Sequence, residues 1–293
     1  MVNDMAKSDR GMRPIFLIGS GRSGTTILFE LLHRHPQLAY VSNLTDCLPY
    51  FPQLAVLTRV PVLRAYKPFQ PSIESLSAFD YCGITEDQLI EKKHSLTEQD
   101  VDENAKYRLQ RLVGRHVRWQ GKSQFINKNT SNTMRIRYLL DIFPDALFIH
   151  IIRNGYGVVN SLINVKWWRE LNLWWNGETP SQWEAGGGNP YELAALHWKR
   201  QVTVALDDSK HVPVRQYLEC RYEELLEDPK SQIERILRFC QLDWNREFER
   251  HFQAHTVRRT NSEKWRSGLD SGAKRAVQNA SGDLLETLGY GVS

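Results

Sequence analysis

The residues best suited to chemistry come early, at Gly19-Ser-Gly-Arg-Ser-Gly24-Thr25-Thr26. Gly19 and Gly24 have the G-x-x-x-x-G spacing of a loop that wraps a phosphate in backbone N–H groups. In nucleoside triphosphatases a lysine follows the second glycine and reaches the β/γ-phosphates, while an aspartate on a later strand helps to hold Mg²⁺. Here Thr25 stands in the lysine's place. The most apolar later run, Ala146-Leu-Phe-Ile-His-Ile-Ile152, ends in Arg153 instead of an acid. The loop nevertheless keeps anion-binding groups: the planar fork of Arg22 and the hydroxyls of Ser23, Thr25 and Thr26. Ser161 follows Arg153 by eight residues. A guanidinium and a hydroxyl at that spacing make a second phosphate site, so the residues describe a crevice for two anionic groups.

These groups must be held by strands and helices. Pro14–Ile18 is a short apolar run bounded by glycine, which predicts a buried strand, and Ile27, Leu28, Leu31 and Leu32 recur at helical spacing after the loop. Strands are likewise expected at Gln124–Asn127, Ala146–Ile152 and Val212–Arg221. Helices are expected at Thr133–Phe143, after Arg153, at Tyr191–Asp207 and after the Asp228-Pro229 cap, with one or two more within residues 86–117. Residues 43–77, rich in proline and aromatics, read as an irregular cap over a site. Alternating strands and helices predict an α/β chain: a three-layer P-loop-like fold with a central parallel sheet flanked by helices. Residues 1–13 read as a disordered leader and 14–293 as one domain.

Composition narrows the field. The chain has 293 residues, and 38 basic against 34 acidic residues give a net charge of only +4. That is too mild for a nucleic-acid coat but suits a small polyanion. No run approaches the ~20 apolar residues of a membrane helix, and residues 1–14 lack a signal-peptide core. Cys47, Cys82, Cys220 and Cys240 show no metal-binding or redox spacing, and two of them sit in apolar segments. Buried thiols in a reducing, cytoplasmic setting are expected.

Taken together, RSGTT after the first strand and Arg-x7-Ser after FIHII resemble the 5′-phosphosulfate loop and 3′-phosphate site of sulfotransferases that use 3′-phosphoadenosine 5′-phosphosulfate (PAPS). The resemblance is to the tyrosylprotein, Golgi-type and bacterial branch. Asn127-Lys128 with the FPDALF segment, Arg221-Tyr222-Glu through Pro229, Ser262-Glu-Lys-Trp-Arg266 and the closing Leu288-Gly-Tyr290 extend it in the family's order. It implies that Arg22, Ser23, Gly24, Thr25 and Thr26 hold the 5′-phosphosulfate, and Arg153 and Ser161 the 3′-phosphate. Tyr222 lies near the adenine, and Ser262, Lys264, Trp265 and Arg266 close over the phosphates. Arg22 and Lys128 flank the transferred group, PAP is the product and no metal takes part. PAPS has no γ-phosphate, so the missing lysine has nothing to reach.

The chain departs from that pattern at the base. The tyrosylprotein enzymes carry a Glu-Glu pair shortly after the His-Pro that ends the first helix; here His35-Pro36 is followed by Ser42-Asn43. Asp46 and Glu74 are the candidates, Glu74 slightly preferred. His94 and His150 are weaker, and His150 reads as a core histidine. Six of the nine tryptophans, Trp167, Trp168, Trp174, Trp175, Trp183 and Trp198, fall in one stretch beside Gly186-Gly-Gly188. They read either as core or as a mobile acceptor lid. With no basic groove for acidic peptides evident, the expected acceptor is a hydroxyl (or amine) of a carbohydrate, lipid or small molecule. Two rival readings stand beside this one: a P-loop kinase or NTPase, and a module that binds PAP(S) without catalysis.

Overall fold

A computed structural model describes residues 13–75, 91–92, 94–173, 175–255 and 262–291. Apart from Arg13, the expected leader lies outside them, as do Cys82, Trp174 and the start of the expected 86–117 helical region.

Five strands, β1 (Ile15–Ile18), β2 (Leu38–Ala39), β3 (Gln124–Lys128), β4 (Leu147–Ile152) and β5 (Tyr217–Arg221), form one parallel sheet in the order β2-β3-β1-β4-β5. β1, β3 and β4 are buried throughout because both faces are covered. The strand period of two divides their side chains between the layers. Phe16, Ile18, Phe125 and Phe148 face the helices Glu103–Gln120 and Ile136–Ile142. Ile15, Leu17, Ile126, Ile149 and Ile151 pack with Thr25–Leu32, Tyr222–Glu227 and Pro229–Cys240 on the other face. A further apolar cluster joins the helices Gly155–Leu162, Pro190–Ser209 and Ser271–Thr287.

β1 lies between β3 and β4 in register, Leu17 beside Lys128 and Ile18 beside His150. The chain therefore leaves β3 on one side of β1 and enters β4 on the other. That reversal of strand order opens a crevice above the carboxyl ends of the central strands, where open α/β sheets bind ligands.

The cap takes a defined form. Ser42 and Thr45 make a capping box at the start of helix Asn43–Cys47, and 3₁₀ turns follow at Pro52–Arg59, Pro61–Ala65 and Lys67–Phe69. The expected Thr133–Phe143 helix is split: Thr130–Met134 is a 3₁₀ turn and the α-helix begins at Ile136.

Candidate active site

One cavity of about 980 Å³ opens above β1, β3 and β4. The phosphate loop forms one wall. Gly24, at φ 99°, caps helix Thr25–Leu32, and a Cβ there would lie 2.4 Å from Tyr222 Cδ2. Only glycine permits both the backbone turn and the close approach of the tyrosine ring. Gly19 donates its N–H to Thr133 Oγ1 at 2.8 Å, and the same hydroxyl donates back to the Gly19 carbonyl at 2.9 Å. Gly21 N–H reaches Gln201 Oε1 at 3.3 Å. Thr25 and Thr26 line the cavity at the first turn of the helix, whose free N–H groups and dipole favour an anion. Ser23 turns inward and shares a 2.5 Å hydrogen bond with Ser20.

Two arginines meet beside this loop. Arg153, at the tip of β4 and 9% exposed, donates to the Arg22 carbonyl at 2.9 Å. Its guanidinium stacks over the Tyr222 ring at 4.5 Å. Arg22, at φ 69°, donates from Nε to Ser161 Oγ at 3.0 Å. Burial lowers the Arg153 pKa from its ordinary value, Tyr222 and Glu223 oppose that shift, and the Arg22 charge adds to it. A largely desolvated cation beside a second cation is a place for a polyanion. Arg22, Arg153 and Ser161 thus share one side of the crevice, joined by direct hydrogen bonds. Glu223 fixes this corner by accepting from Asn154 N–H at 3.1 Å and from the Tyr290 hydroxyl at 2.8 Å.

The opposite wall is built from the end of β3. Lys128, 3% exposed, is ion-paired with Glu74. The other Glu74 oxygen accepts from Thr130 N–H at 2.7 Å and Thr130 Oγ1 at 3.0 Å. Glu74 sits at φ 68°, a left-handed conformation that costs an L-residue roughly 1–2 kcal/mol. Asn129 secures it, donating to the Glu74 carbonyl at 3.1 Å and the Ser75 carbonyl at 3.0 Å. Asn127 donates to Ser75 and accepts from Asn132. The amide- and hydroxyl-rich run Asn127–Thr133 therefore holds both the carboxylate and the phosphate loop. Sequence reasoning took only Asn127-Lys128 from it; the polar run directly after a strand was the available signal.

The remaining candidates divide. Tyr222 and Lys264 line the cavity. Trp265 is buried in the core, stacked on Tyr156 at 4.9 Å, and Arg266 lies over its ring and pairs with Glu263. Asp46 takes the Ser72 hydroxyl at 2.7 Å and is not among the cavity residues. His150 is buried with Nδ1 2.6 Å from the Tyr217 hydroxyl, and burial lowers its pKa to about 3. His94 lies 3.0 Å from Arg135. Of the described tryptophans in the cluster, Trp168 and Trp198 are fully buried core, and Trp175 and Trp183 are bonded to His197 and the Asn189 carbonyl. Trp167 lines the cavity, half exposed.

With this geometry in place, the relatives are informative. A model of the family described as "Sulfotransferase family" matches residues 14–246. The chain belongs to the sulfotransferase family. It is thereby a member of an enzyme family. Protein-tyrosine sulfotransferase A of Caenorhabditis elegans is 23% identical, over 82% of this chain and 52% of the relative. The omega-hydroxy-beta-dihydromenaquinone-9 sulfotransferase of Mycobacterium tuberculosis is 26% identical, over 94% and 75%. The chain spans about half the length of the first of these and 40% of the Drosophila melanogaster protein-tyrosine sulfotransferase. Among solved structures, the sulfotransferase domain of the Synechococcus olefin synthase matches with a TM-score of 0.57 at 21% identity, over 96% of this chain and 95% of that one. The Mycobacterium avium sulfotransferase STF9 also matches at 0.57, with 19% identity over 98% and 80%. These likenesses establish the three-layer P-loop-like fold of the sulfotransferases.

Proposed function

We propose that this sulfotransferase-family chain transfers a sulfuryl group from PAPS to a hydroxyl of a carbohydrate, lipid or small-molecule acceptor, with PAP as product. The carrying observation is that one crevice joins the lysine-less phosphate loop, the Arg22–Arg153–Ser161 corner and the Lys128–Glu74 pair. The donor set fits a nucleotide charged at both ends. Gly24 lets the Tyr222 ring close onto the phosphate loop, two cations and a hydroxyl meet at one end, and a buried lysine stands at the other. PAPS, when bound, supplies an activated sulfuryl group with PAP as the leaving anion.

The chain's residues then have distinct tasks. Arg153 and Ser161 bind the 3′-phosphate, and Tyr222 packs beside the base. Thr25, Thr26 and the helix N-terminus bind the 5′ side, while Ser23 stiffens the loop through Ser20. Lys264 closes from above, with Ser262, Trp265 and Arg266 in the same turn. Lys128 neutralises charge that grows on the leaving oxygen, a fixed donor of the kind whose loss costs ~10²–10³ in rate. Arg22, carried by the loop that binds the 5′ side, gives up its bond to Ser161 to reach the same oxygen once the donor is bound. Glu74, on the cavity wall, accepts the acceptor's proton; Asp46, held by Ser72, is the weaker choice. Ile27, Ile73, Val165 and Trp167 give the cavity apolar lining, which supports a lipid or small-molecule acceptor. The buried Cys220 and Cys240 fit a reducing, cytoplasmic setting.

Labelled PAPS incubated with a panel of hydroxyl acceptors in the presence of EDTA tests the reading. Metal-independent transfer is expected. ATP hydrolysis that needs Mg²⁺ would favour a P-loop NTPase, and PAP binding without transfer to any acceptor would favour a binding module.

A further inference from the structure

Exposed apolar side chains are concentrated in one part of the surface. Among the described residues, eight of the twelve large exposed hydrophobics lie between Leu48 and Ile73, including Tyr50, Phe51, Val60, Val62 and Tyr66. Two more, Tyr107 and Trp119, lie on helix Glu103–Gln120, against which the turn Pro52–Arg59 packs. The turn shows why these residues are outside. Its repeat of three buries Pro52, Ala55 and Thr58 on the helix and sends Val56 and Arg59 outward.

Charge follows the same pattern. No acid occurs between Asp46 and Glu74, whereas Arg59, Arg64 and Lys67 do. Helix Glu103–Gln120 adds Lys106, Arg108, Arg111, Arg115 and Arg118 against Glu103 alone, and of these cations Lys106 is paired with Asp141. Residues 48–73 and 103–120 thus carry eight cations and one acid, +7, while the whole chain is +4; everything else sums to −3. Valines and aromatic rings interleaved with arginine and lysine are the composition of a surface that sinks its apolar groups into the headgroup region and sets its cations on anionic lipid. The segment is continuous with the active crevice through Ile73, which lines the cavity next to Glu74.

We infer that the cap from Leu48 to Ile73, backed by helix Glu103–Gln120, is a docking surface for an anionic lipid bilayer, which holds the crevice mouth at the membrane surface. This partner is independent of the proposed transfer reaction, whose failure or success leaves it intact. Charge complementarity calls for an anionic partner, and the exposed valines and Phe51 interleaved with the cations select a bilayer over a nucleic acid.

Flotation of the full chain with vesicles of phosphatidylcholine alone, or mixed with phosphatidylserine, tests it. The chain is expected to float with the mixed vesicles, less at high salt, and not with the neutral ones. Lys67→Gln should weaken partitioning about fivefold, and Val62→Ser with Tyr66→Ser by at least about tenfold. Both variants should keep the unfolding midpoint and the 3′,5′-ADP affinity of the parent. Absence of the parent from floated vesicles, equal flotation of parent and variants, or binding of RNA or self-association in place of vesicle binding, would each overturn the inference.

Discussion

Replacing Arg153 with methionine separates the two ends of the crevice. Methionine keeps the buried stem's volume and the packing on Tyr222, and removes the charge and its donors. A hydrogen bond to a charged group contributes roughly 1.5–3 kcal/mol. At about 1.4 kcal/mol per factor of ten, Kd for 3′,5′-ADP should rise by roughly 10–150-fold. Adenosine 5′-monophosphate has no 3′-phosphate, and its Kd should change by less than about threefold on the same scale. The fold should survive. Burial and the Arg22 charge already work against the Arg153 cation and offset part of the roughly 1.5–3 kcal/mol lost with its bond to the Arg22 carbonyl. Titration calorimetry of both nucleotides against parent and variant, with urea unfolding alongside, makes the comparison. An equal loss for both nucleotides, or no loss for either, refutes the assignment of Arg153 to a 3′-phosphate.

Three further outcomes are expected. Glu74→Gln should leave 3′,5′-ADP affinity within a few-fold and lower kcat by about 10²–10⁴, the usual contribution of a positioned base; steady-state kinetics showing an unchanged kcat would remove Glu74 from the chemistry. Gly24→Ala forces a methyl against the Tyr222 ring at a left-handed φ, so nucleotide binding should be lost while far-UV dichroism stays near the parent's; normal binding would show that the loop has another route to its shape. Stability should fall as pH drops from about 6.5 towards 4. Burial lowers His33, His94 and His150 to about 3 and His197 and His251 to about 4, so across that window the unfolded chain binds protons that the folded chain refuses. Asp208, pushed up to about 6 by burial, acts with the opposite sign but is one group against five. A urea midpoint at about pH 5 equal to or above that at about pH 7 would contradict this.

What could be read from the sequence was local in origin. β1, the glycine loop, β4 and the helix after Asp228 were visible because apolar runs and caps declare themselves over four to eight neighbouring residues. β2 is two residues long and carries no period to detect. Helix Asn43–Cys47 was missed although Ser42 and Thr45 form its capping box, because no apolar repeat follows them. Arg22, Arg153 and Ser161 could be picked out by type and spacing. Their mutual hydrogen bonds depend on loop turns set by Gly24 and by Thr133, more than a hundred positions from Gly19 along the chain. The union of Glu74 with Lys128 is likewise tertiary, made by Asn129 and Thr130. The tryptophan cluster shows the converse: the described members of a conspicuous compositional feature serve largely as core, with Trp167 at the cavity.

Titration calorimetry of the parent chain with 3′,5′-ADP tests the central claim most directly. Saturable one-to-one binding is predicted, with magnesium and EDTA making no difference. No detectable association with 3′,5′-ADP, alongside tight binding of Mg·ATP, would contradict a crevice built for a bisphosphate.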